Sequence, residues 1–360
     1  MKTGVQFHKK LNIENIRKAG FERVEYAAED FLCLSEEKRK EQAKKLPISG
    51  IEVELDGLDA QKLFEAMVAA EQSGAEYILI RTVNCTKEDI LSDMIEECSM
   101  AIADFEGEIY VENGMSGDDF HGYTYNPFSS TEKIKEICAY GNQIVGKNVF
   151  KVALNIGYGN LLEKNVRRMI DELGDMLALV HVNDNDGRSN LRQMPYTFTT
   201  GRGAPGTDWK RILGALIKIP FDGWIIFDTV GLFERIPEEL QLSMLSLLKE
   251  IEKSWMKQFR FEDILNQPDK QLVLFGAGMM AYNFLQVWGD RYKPAFLVDN
   301  NSKVWGQYLE GIEVKSPEAI LQIPKEQQLV LICNTHYNEI KAQLTGMGIS
   351  YEYYNDEYYM

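Results

Sequence analysis

The sequence predicts an α/β protein, a parallel (β/α)8 TIM barrel followed by a small Rossmann-like α/β domain. Short apolar runs alternate with amphipathic helical patterns eight times over the first 257 residues, as parallel strands and their crossover helices do. A polar segment then separates this series from a further apolar run, 272–275, which leads directly into Gly276-Ala277-Gly278. We therefore predict a barrel over residues 1–258, a linker over 259–270 and a Rossmann-like domain over 271–360.

The eight strand–helix pairs follow one another along the chain. The predicted strands are 5–8, 23–28, 50–55, 76–81, 108–112, 150–156, 177–182 and 224–227, and the predicted helices are 13–20, 35–46, 60–74, 87–105, 131–140, 161–173, 208–219 and 237–257. Helix boundaries carry the expected residues, such as a capping serine at Ser35 and a terminating glycine at Gly74. An open doubly wound sheet is the alternative, but the first turn lacks the glycine-rich sequence of that fold.

Composition and charge exclude several classes of function. With 39 basic and 55 acidic residues the net charge is −16, which disfavours binding to a nucleic-acid backbone. No apolar run is long enough to span a membrane, and the N-terminus lacks the apolar core of a signal peptide. The five cysteines are scattered without Cys-x-x-Cys spacing, and four of them fall in apolar or helical contexts, as expected for reduced, buried thiols. We expect a cytoplasmic protein with no nucleic-acid or membrane partner.

Polar residues follow the predicted barrel strands where catalytic groups of barrel enzymes lie, at the carboxyl ends. The sharpest subset is Glu112, His181 and Asp228, each of which follows an apolar run. Two carboxylates and an imidazole, with the amide oxygen of Asn155 as a fourth donor, suit Mn²⁺, Mg²⁺ or Zn²⁺. The other polar residues at strand ends are His8, Glu25, Glu52 or Glu54, Arg81, Tyr158 and Asp184.

A succession of motifs over residues 13 to about 255 resembles the sugar-phosphate isomerase/epimerase family, the xylose isomerase-like barrels that also include endonuclease IV. The matching segments are 16–25 (IRKAGFERVE), 111–113 (VEN), 153–158 (ALNIGY), 181–187 (HVNDNDG), 201–203 (GRG), 208–209 (DW) and 223–228 (GWIIFD). Each motif is modest by itself, and their order along the chain makes the resemblance more specific.

The resemblance implies a divalent metal held by four residues on strands five to eight. By position these are Glu112, Asn155, His181 and Asp228, where the family has Glu, Asp, His and Glu. Tyr158 stands where the family has a substrate-binding histidine. The neutral Asn155 and the shorter Asp228 should weaken metal binding. Where endonucleases of the family have Asp-x-His, residues 190–192 read Asn-Leu-Arg, so a trinuclear zinc site is not expected.

The activity implied by the resemblance is metal-assisted proton transfer beside the carbonyl of a sugar or sugar phosphate. Glu112 is the expected base and Asp228 the partner acid. Tyr158, Arg81, Asp184 and Arg202, the last in a glycine-rich loop after strand seven, are candidates for substrate binding. The alternative is a catalytically degenerate barrel that serves as a sugar or nucleotide-sugar binding or regulatory protein.

The C-terminal unit carries a partial dinucleotide-binding pattern. Gly276 and Gly278 lie between a strand and a helix, and Asp299 ends the next strand, so these three are candidate nucleotide-binding residues. The unit resembles Rossmann-like domains appended to sugar-modifying enzymes of polysaccharide biosynthesis, through segments 298–301 (VDNN) and 311–318 (GIEVKSPE). That resemblance assigns no chemistry to the unit, but it suggests a connection with carbohydrate or surface-glycan metabolism. Docking of a nucleotide or nucleotide sugar is one candidate role, and cofactor-driven redox is a less favoured one. A structural or homodimerising role is the alternative.

Overall fold

The computed structural model describes residues 1–54, 60–87, 89–198 and 206–354. The chain forms two compact units, one from Met1–Trp209 with Ile219–Glu252 and one from Lys210–Lys218 with Lys253–Met360. No helix within the described ranges combines the length and the apolar character needed to cross a membrane.

Eight parallel strands close into a barrel in sequence order, which confirms the predicted fold class. They are β1 Lys2–Gln6, β2 Val24–Ala27, β3 Ile48–Glu54, β4 Tyr77–Arg81, β5 Glu108–Glu112, β6 Phe150–Asn155, β7 Leu177–Val182 and β8 Trp224–Phe227. β1 begins three residues before its prediction, because Lys2 and Thr3 continue the backbone ladder beside Trp224 and Ile225. A search for apolar runs misses polar residues that join a strand through their backbone hydrogen bonds.

The helices of the first 260 residues are α1 Ile13–Ala19, α2 Ala28–Leu32, α3 Glu36–Lys45, α4 Ala60–Ser73, α5 Asp89–Glu97, α6 Ser99–Asp104, α7 Thr131–Val145, α8 Ile156–Leu161, α9 Val166–Leu173, α10 Trp209–Lys218, α11 Val230–Phe233 and α12 Glu238–Phe259. The predicted helix 87–105 is divided in two at Cys98. The predicted helix 161–173 begins only at Val166, because Asn165 caps it by accepting a hydrogen bond from the Arg168 amide.

The barrel interior has an apolar lower layer. Tyr77 stacks on Tyr110 with ring centroids 4.8 Å apart, and Trp224 lies against Tyr77. Gly50 makes room for this layer, because a Cβ there would lie 2.0 Å from the Tyr77 ring. Leu179 and Ile226 complete the packing. Above this layer the inward-facing residues are polar, and these form the site described below.

The C-terminal unit is built on a separate six-stranded sheet. Its strands are β9 Gln271–Phe275, β10 Phe296–Val298, β11 Tyr308–Leu309, β12 Ile312–Lys315, β13 Gln328–Ile332 and β14 Tyr351–Tyr353, and its helices are α13 Phe261–Leu265, α14 Met279–Trp288 and α15 Tyr337–Gly346. The strands lie in the order β11-β12-β10-β9-β13-β14 and are parallel except for the β11–β12 pair. Alternate β9 residues pack on opposite faces, Leu274 in a cluster with Trp288 and Val273 in a cluster with Ile340. The predicted linker, 259–270, contains α13.

Candidate active site at the carboxyl end of the barrel

Four strand ends bring together the residues predicted as metal ligands. Glu112 and Asn155 end β5 and β6, His181 lies near the end of β7, and Asp228 directly follows β8. All four side chains are at most 1 % exposed. Asn155 donates from Nδ2 to Glu112 Oε1 at 3.2 Å and accepts a hydrogen bond from Asn183 at 3.0 Å. The side chains therefore belong to one buried hydrogen-bonded network.

His181 bridges two glutamates across the barrel. Its Nδ1 lies 2.5 Å from Glu112 Oε1, and its Nε2 lies 2.8 Å from Glu25 Oε1. The second oxygen of Glu25 accepts a hydrogen bond from the Tyr77 hydroxyl at 2.7 Å. Burial alone would lower the pKa of His181, but the two neighbouring carboxyl groups raise this pKa well above its usual value. Both ring nitrogens are thus occupied by side chains of the protein.

Asp228 is held by Arg192, a residue that was not among those predicted for the site. Arg192 Nε lies 2.8 and 2.9 Å from the two carboxylate oxygens, and Nη2 donates to Gln6 Oε1 at 2.5 Å. Burial would raise the pKa of Asp228, but the Arg192 guanidinium holds this pKa below its usual value. The signal in the sequence was the tripeptide Asn190-Leu191-Arg192, where Arg replaces a family histidine.

Arg81 makes a second cationic contact within the site. Its Nη1 donates to Glu52 Oε1 at 2.9 Å, its Nη2 donates to the Tyr158 hydroxyl, and its Nε lies 3.6 Å from Glu112 Oε2. Gln6 also donates to Glu52, at 2.6 Å. Burial raises the pKa of Glu52 despite the nearby Arg81. The predicted substrate-binding residues Arg81 and Tyr158 therefore lie next to the predicted base.

Three buried polar atoms in this network have no hydrogen-bond partner among the described residues. They are Glu112 Oε2, Arg81 Nε and Asn183 Oδ1. Buried polar atoms are normally paired, so such atoms call for a ligand or an ordered water. A cavity of about 430 Å³ opens beside Arg81, and its lining also includes Gln6, Glu52 and Arg192 but not Glu112. The two arginines therefore lie between the cavity and the buried carboxylates that they contact.

The remaining predicted barrel residues lie elsewhere. Asp184 accepts hydrogen bonds from the Phe198 amide at 3.2 Å and from the Trp209 indole at 3.4 Å, so its carboxylate fastens the loop after β7. Burial raises the pKa of Asp184. Arg202 lies outside the described residues. Glu25 and Glu52, predicted only as polar residues at strand ends, are central to the network.

The ligand set implied by the family resemblance does not fit a divalent metal here. A metal-bound histidine must offer a free ring nitrogen, and a ligating carboxylate must offer a free oxygen. His181 has neither nitrogen free, and both oxygens of Asp228 face Arg192. A different group, Glu25, Glu52 and His181, has ligand atoms within 4.8 Å of one another, the spacing of a metal site. Arg81 lies against Glu52 within this group, which opposes a second cation there.

The predicted nucleotide-binding residues of the C-terminal unit meet at the carboxyl ends of β9 and β10. Gly276 has φ +120°, and a Cβ there would lie 2.3 Å from the Cys333 carbonyl oxygen, so the turn requires glycine. Gly278 caps the N-terminus of α14. The Asp299 carboxylate accepts hydrogen bonds from the Ala277 amide at 2.9 Å and the Asn301 amide at 2.8 Å. Asp299 therefore fixes the turn through local backbone contacts.

Comparison with known proteins places the barrel among solved sugar epimerases by fold. A D-psicose 3-epimerase in the presence of D-fructose is 16 % identical, with a TM-score of 0.51 over 72 % of this chain and 99 % of that chain. A 3-keto-D-glucoside 4-epimerase from E. coli is 15 % identical, with a TM-score of 0.51 over 69 % and 99 %. An L-ribulose 3-epimerase is 13 % identical, with a TM-score of 0.54 over 73 % and 97 %. At these identities the likeness establishes the fold.

Sequence comparison is informative mainly for the C-terminal unit. The family described as C2185-like, N-terminal, matches residues 268–353. No curated protein matches the chain. The barrel fold predicted from the sequence is thus confirmed, whereas the family resemblance of the barrel and the Rossmann-like assignment of the C-terminal unit stay predictions.

Proposed function

We propose that the barrel is a sugar isomerase or epimerase that transfers a proton beside a carbonyl group. The observation that carries this proposal is the Glu112 carboxylate. One of its oxygens is fixed by His181 and Asn155, while the other is buried without a hydrogen-bond partner among the described residues, 3.6 Å from Arg81. A carboxylate held in this way is suited to accept a proton from carbon, and the fold shared with sugar epimerases supports the assignment.

The geometry favours Glu112 over Asp228 as the acid/base group. Asp228 was the expected partner acid, but its pairing with Arg192 keeps it ionised and occupies both oxygens. Inverting a single carbon requires acid/base groups on opposite faces of the substrate. Shuttling a proton between adjacent carbons on one face requires only one base. With Glu112 available and Asp228 paired, aldose–ketose isomerisation is the better supported reaction within this class.

A sugar-binding or regulatory protein is the second candidate, and a specific observation favours it. The network of His181, Asn155 and Asp228 is almost entirely satisfied by internal hydrogen bonds, as expected of a structural polar core. In that function the cavity beside Arg81 and Arg192 would bind a sugar without turnover.

For the rest of the molecule, we propose a role in carbohydrate or surface-glycan metabolism, with a nucleotide or nucleotide sugar bound near Gly276, Gly278 and Asp299. Cytoplasmic location and a homodimer remain the expectations from the sequence.

Hydrogen–deuterium exchange tests the proposal whatever the identity of the product. The full chain is incubated in D₂O with ketoses and aldoses, free and phosphorylated, and ¹H NMR follows the proton next to the carbonyl. Enzyme-dependent exchange is expected for at least one sugar, and Glu112→Gln should reduce its rate by at least about a hundredfold. Glu108→Gln is the matched control, since Glu108 starts the same strand and contacts Tyr110 and Lys151 instead. Sugar binding without exchange would favour the second candidate.

A further inference from the structure

We propose that the guanidinium groups of Arg192 and Arg81 take the place of a divalent metal in this barrel. They supply the positive charge that stabilises the substrate's carbonyl oxygen as it gains negative charge. The inference rests on the proposed function and deepens it, because it assigns the group that assists Glu112. It follows from the contacts of the two arginines with the residues that the family resemblance implies as metal ligands.

Each carboxylate of the implied ligand set has its own guanidinium. Arg192 contacts both oxygens of Asp228, and Arg81 Nε lies 3.6 Å from Glu112 Oε2. A guanidinium stays protonated in proteins and matches a carboxylate with parallel N–H donors. The position where a metal ion would meet Asp228 is therefore occupied by a permanent cation of the chain itself, and a second permanent cation lies beside Glu112 Oε2.

The charges of the buried network nearly balance without an added ion, because three basic side chains face four acidic ones. Its acidic side chains are Glu25, Glu52, Glu112 and Asp228, and its basic side chains are Arg81, Arg192 and His181. A divalent cation within this network would lie beside fixed positive charges in a site of low dielectric constant, where repulsion is strong. Buried charges are tolerated when they are paired, and here the pairing is internal.

The backbone of its loop holds Arg192 in position, in addition to the contacts that its side chain makes. Its φ is +45°, an uncommon conformation for a residue other than glycine. The loop is fixed by two backbone hydrogen bonds of 2.9 Å between Asp184 and Gln193, and by Gly231, where a Cβ would lie 2.0 Å from the Leu191 carbonyl oxygen. Strained residues held by surrounding structure often mark functional sites. The backbone pairing of Asp184 with Gln193 therefore helps to position Arg192.

The two arginines retain donors for a ligand. Arg192 uses Nε and Nη2 for Asp228 and Gln6, and no described residue accepts a hydrogen bond from its Nη1. Arg81 Nε is likewise without an acceptor among the described residues. When Glu112 takes the proton from carbon, the C–H electrons form the carbon–carbon double bond and the carbonyl π electrons move to oxygen. That oxygen accepts hydrogen bonds from the guanidinium groups. The hydroxyl proton on the neighbouring carbon then passes to this oxygen, and the neighbouring oxygen forms the new C=O bond. The electrons of the carbon–carbon double bond take back the proton from Glu112 at the former carbonyl carbon, which completes the isomerisation.

Titration of the full chain with Mn²⁺ tests the cation assignment independently of turnover. The wild type is compared with Arg192→Met, which removes the charge, and with Arg188→Met, a control at an exposed arginine of the same loop. We expect Arg192→Met to bind about one Mn²⁺ per chain at least about a hundredfold more tightly than the wild type or Arg188→Met. Arg192→Lys, which keeps the charge, should resemble the wild type.

Two results would overturn the inference. One is tight Mn²⁺ binding by the wild type that is lost in His181→Ala, and the other is a folded Arg192→Met that gains no Mn²⁺ affinity. If Arg192→Met does not fold, Arg192→Gln, which can still donate to Asp228, replaces it with the same expected gain. Failure of the proposed function would show separately, as the absence of deuterium exchange in the wild type.

Discussion

Two aspartates that follow parallel strands are held in different ways in the two units of this chain. In the barrel, Asp228 is 1 % exposed and is bound by the side chain of Arg192, 36 residues earlier in sequence. In the C-terminal unit, Asp299 is bound by the backbone amides of Ala277 and Asn301. The first arrangement places a fixed charge pair inside the barrel, whereas the second shapes a turn.

The difference shows that a carboxylate at a strand end does not by itself define a ligand site. Its partners decide what it can do. The negative charge of Asp228 is compensated by the Arg192 guanidinium, so Asp228 is a poor metal ligand. Glu112 keeps one oxygen without a hydrogen-bond partner among the described residues and remains available for proton transfer.

The largest expected effect on the free energy of unfolding comes from breaking the ion pair between Asp228 and Arg192. Asp228→Asn leaves the buried Arg192 without its counter-charge, so we expect the free energy of unfolding to fall by about 3–5 kcal/mol. Asp299→Asn removes contacts to two backbone amides and should cost about 1.5–3 kcal/mol. Urea denaturation followed by circular dichroism measures both. Equal losses in the two variants would contradict the distinction between a buried charge pair and a turn.

A second comparison separates the two glycines of the C-terminal turn. Gly276→Ala should destabilise by about 1–3 kcal/mol, because a Cβ at φ +120° would lie against the Cys333 carbonyl oxygen. Gly278→Ala should stay within about 0.5 kcal/mol, because no described atom lies within 4 Å of the added Cβ. Thermal denaturation of the two variants is the measurement. A larger loss at Gly278 would show that the turn has a different conformation.

The smallest expected effect is the pH dependence of the free energy of unfolding that His181 causes in the barrel site. The folded-state pKa of His181 lies well above the ordinary value of 6.5, so its stabilising contribution is complete below pH 6.5 and is lost as pH rises through the folded-state pKa. Between pH 7 and 8.5 the free energy of unfolding should therefore fall, by at most about 1.4 kcal/mol per pH unit. His181→Gln should flatten this dependence.

Nuclear magnetic resonance checks the same prediction directly. In a pH titration the His181 imidazole should lose its proton at a higher pH than His8, whose pKa is lowered mainly by burial. Loss of the His181 proton at or below the pH at which His8 titrates would contradict its pairing with Glu25 and Glu112.

The sequence predicted the barrel well because alternating apolar runs and amphipathic helices report burial directly. It also predicted that Glu112, Asn155, His181 and Asp228 would lie together, since parallel strands end at one edge. It could not predict the partners of those residues. Arg192 comes from an irregular loop whose conformation depends on Gly231 and on the Asp184–Gln193 ladder, and no local pattern encodes such contacts. The two hydrogen bonds of His181 likewise span 69 and 156 residues.

In the proposed mechanism, Glu112 and two guanidinium groups perform proton transfer without a metal ion. The most direct test is the deuterium-exchange rate of the wild-type protein on a responsive sugar, before and after exhaustive chelation and again after Mn²⁺ is restored. We predict the same rate in all three samples and a rate lowered by at least about a hundredfold in Glu112→Gln. Exchange that stops on chelation and returns with Mn²⁺ would contradict this mechanism and would place a metal ion at the carboxyl end of the barrel.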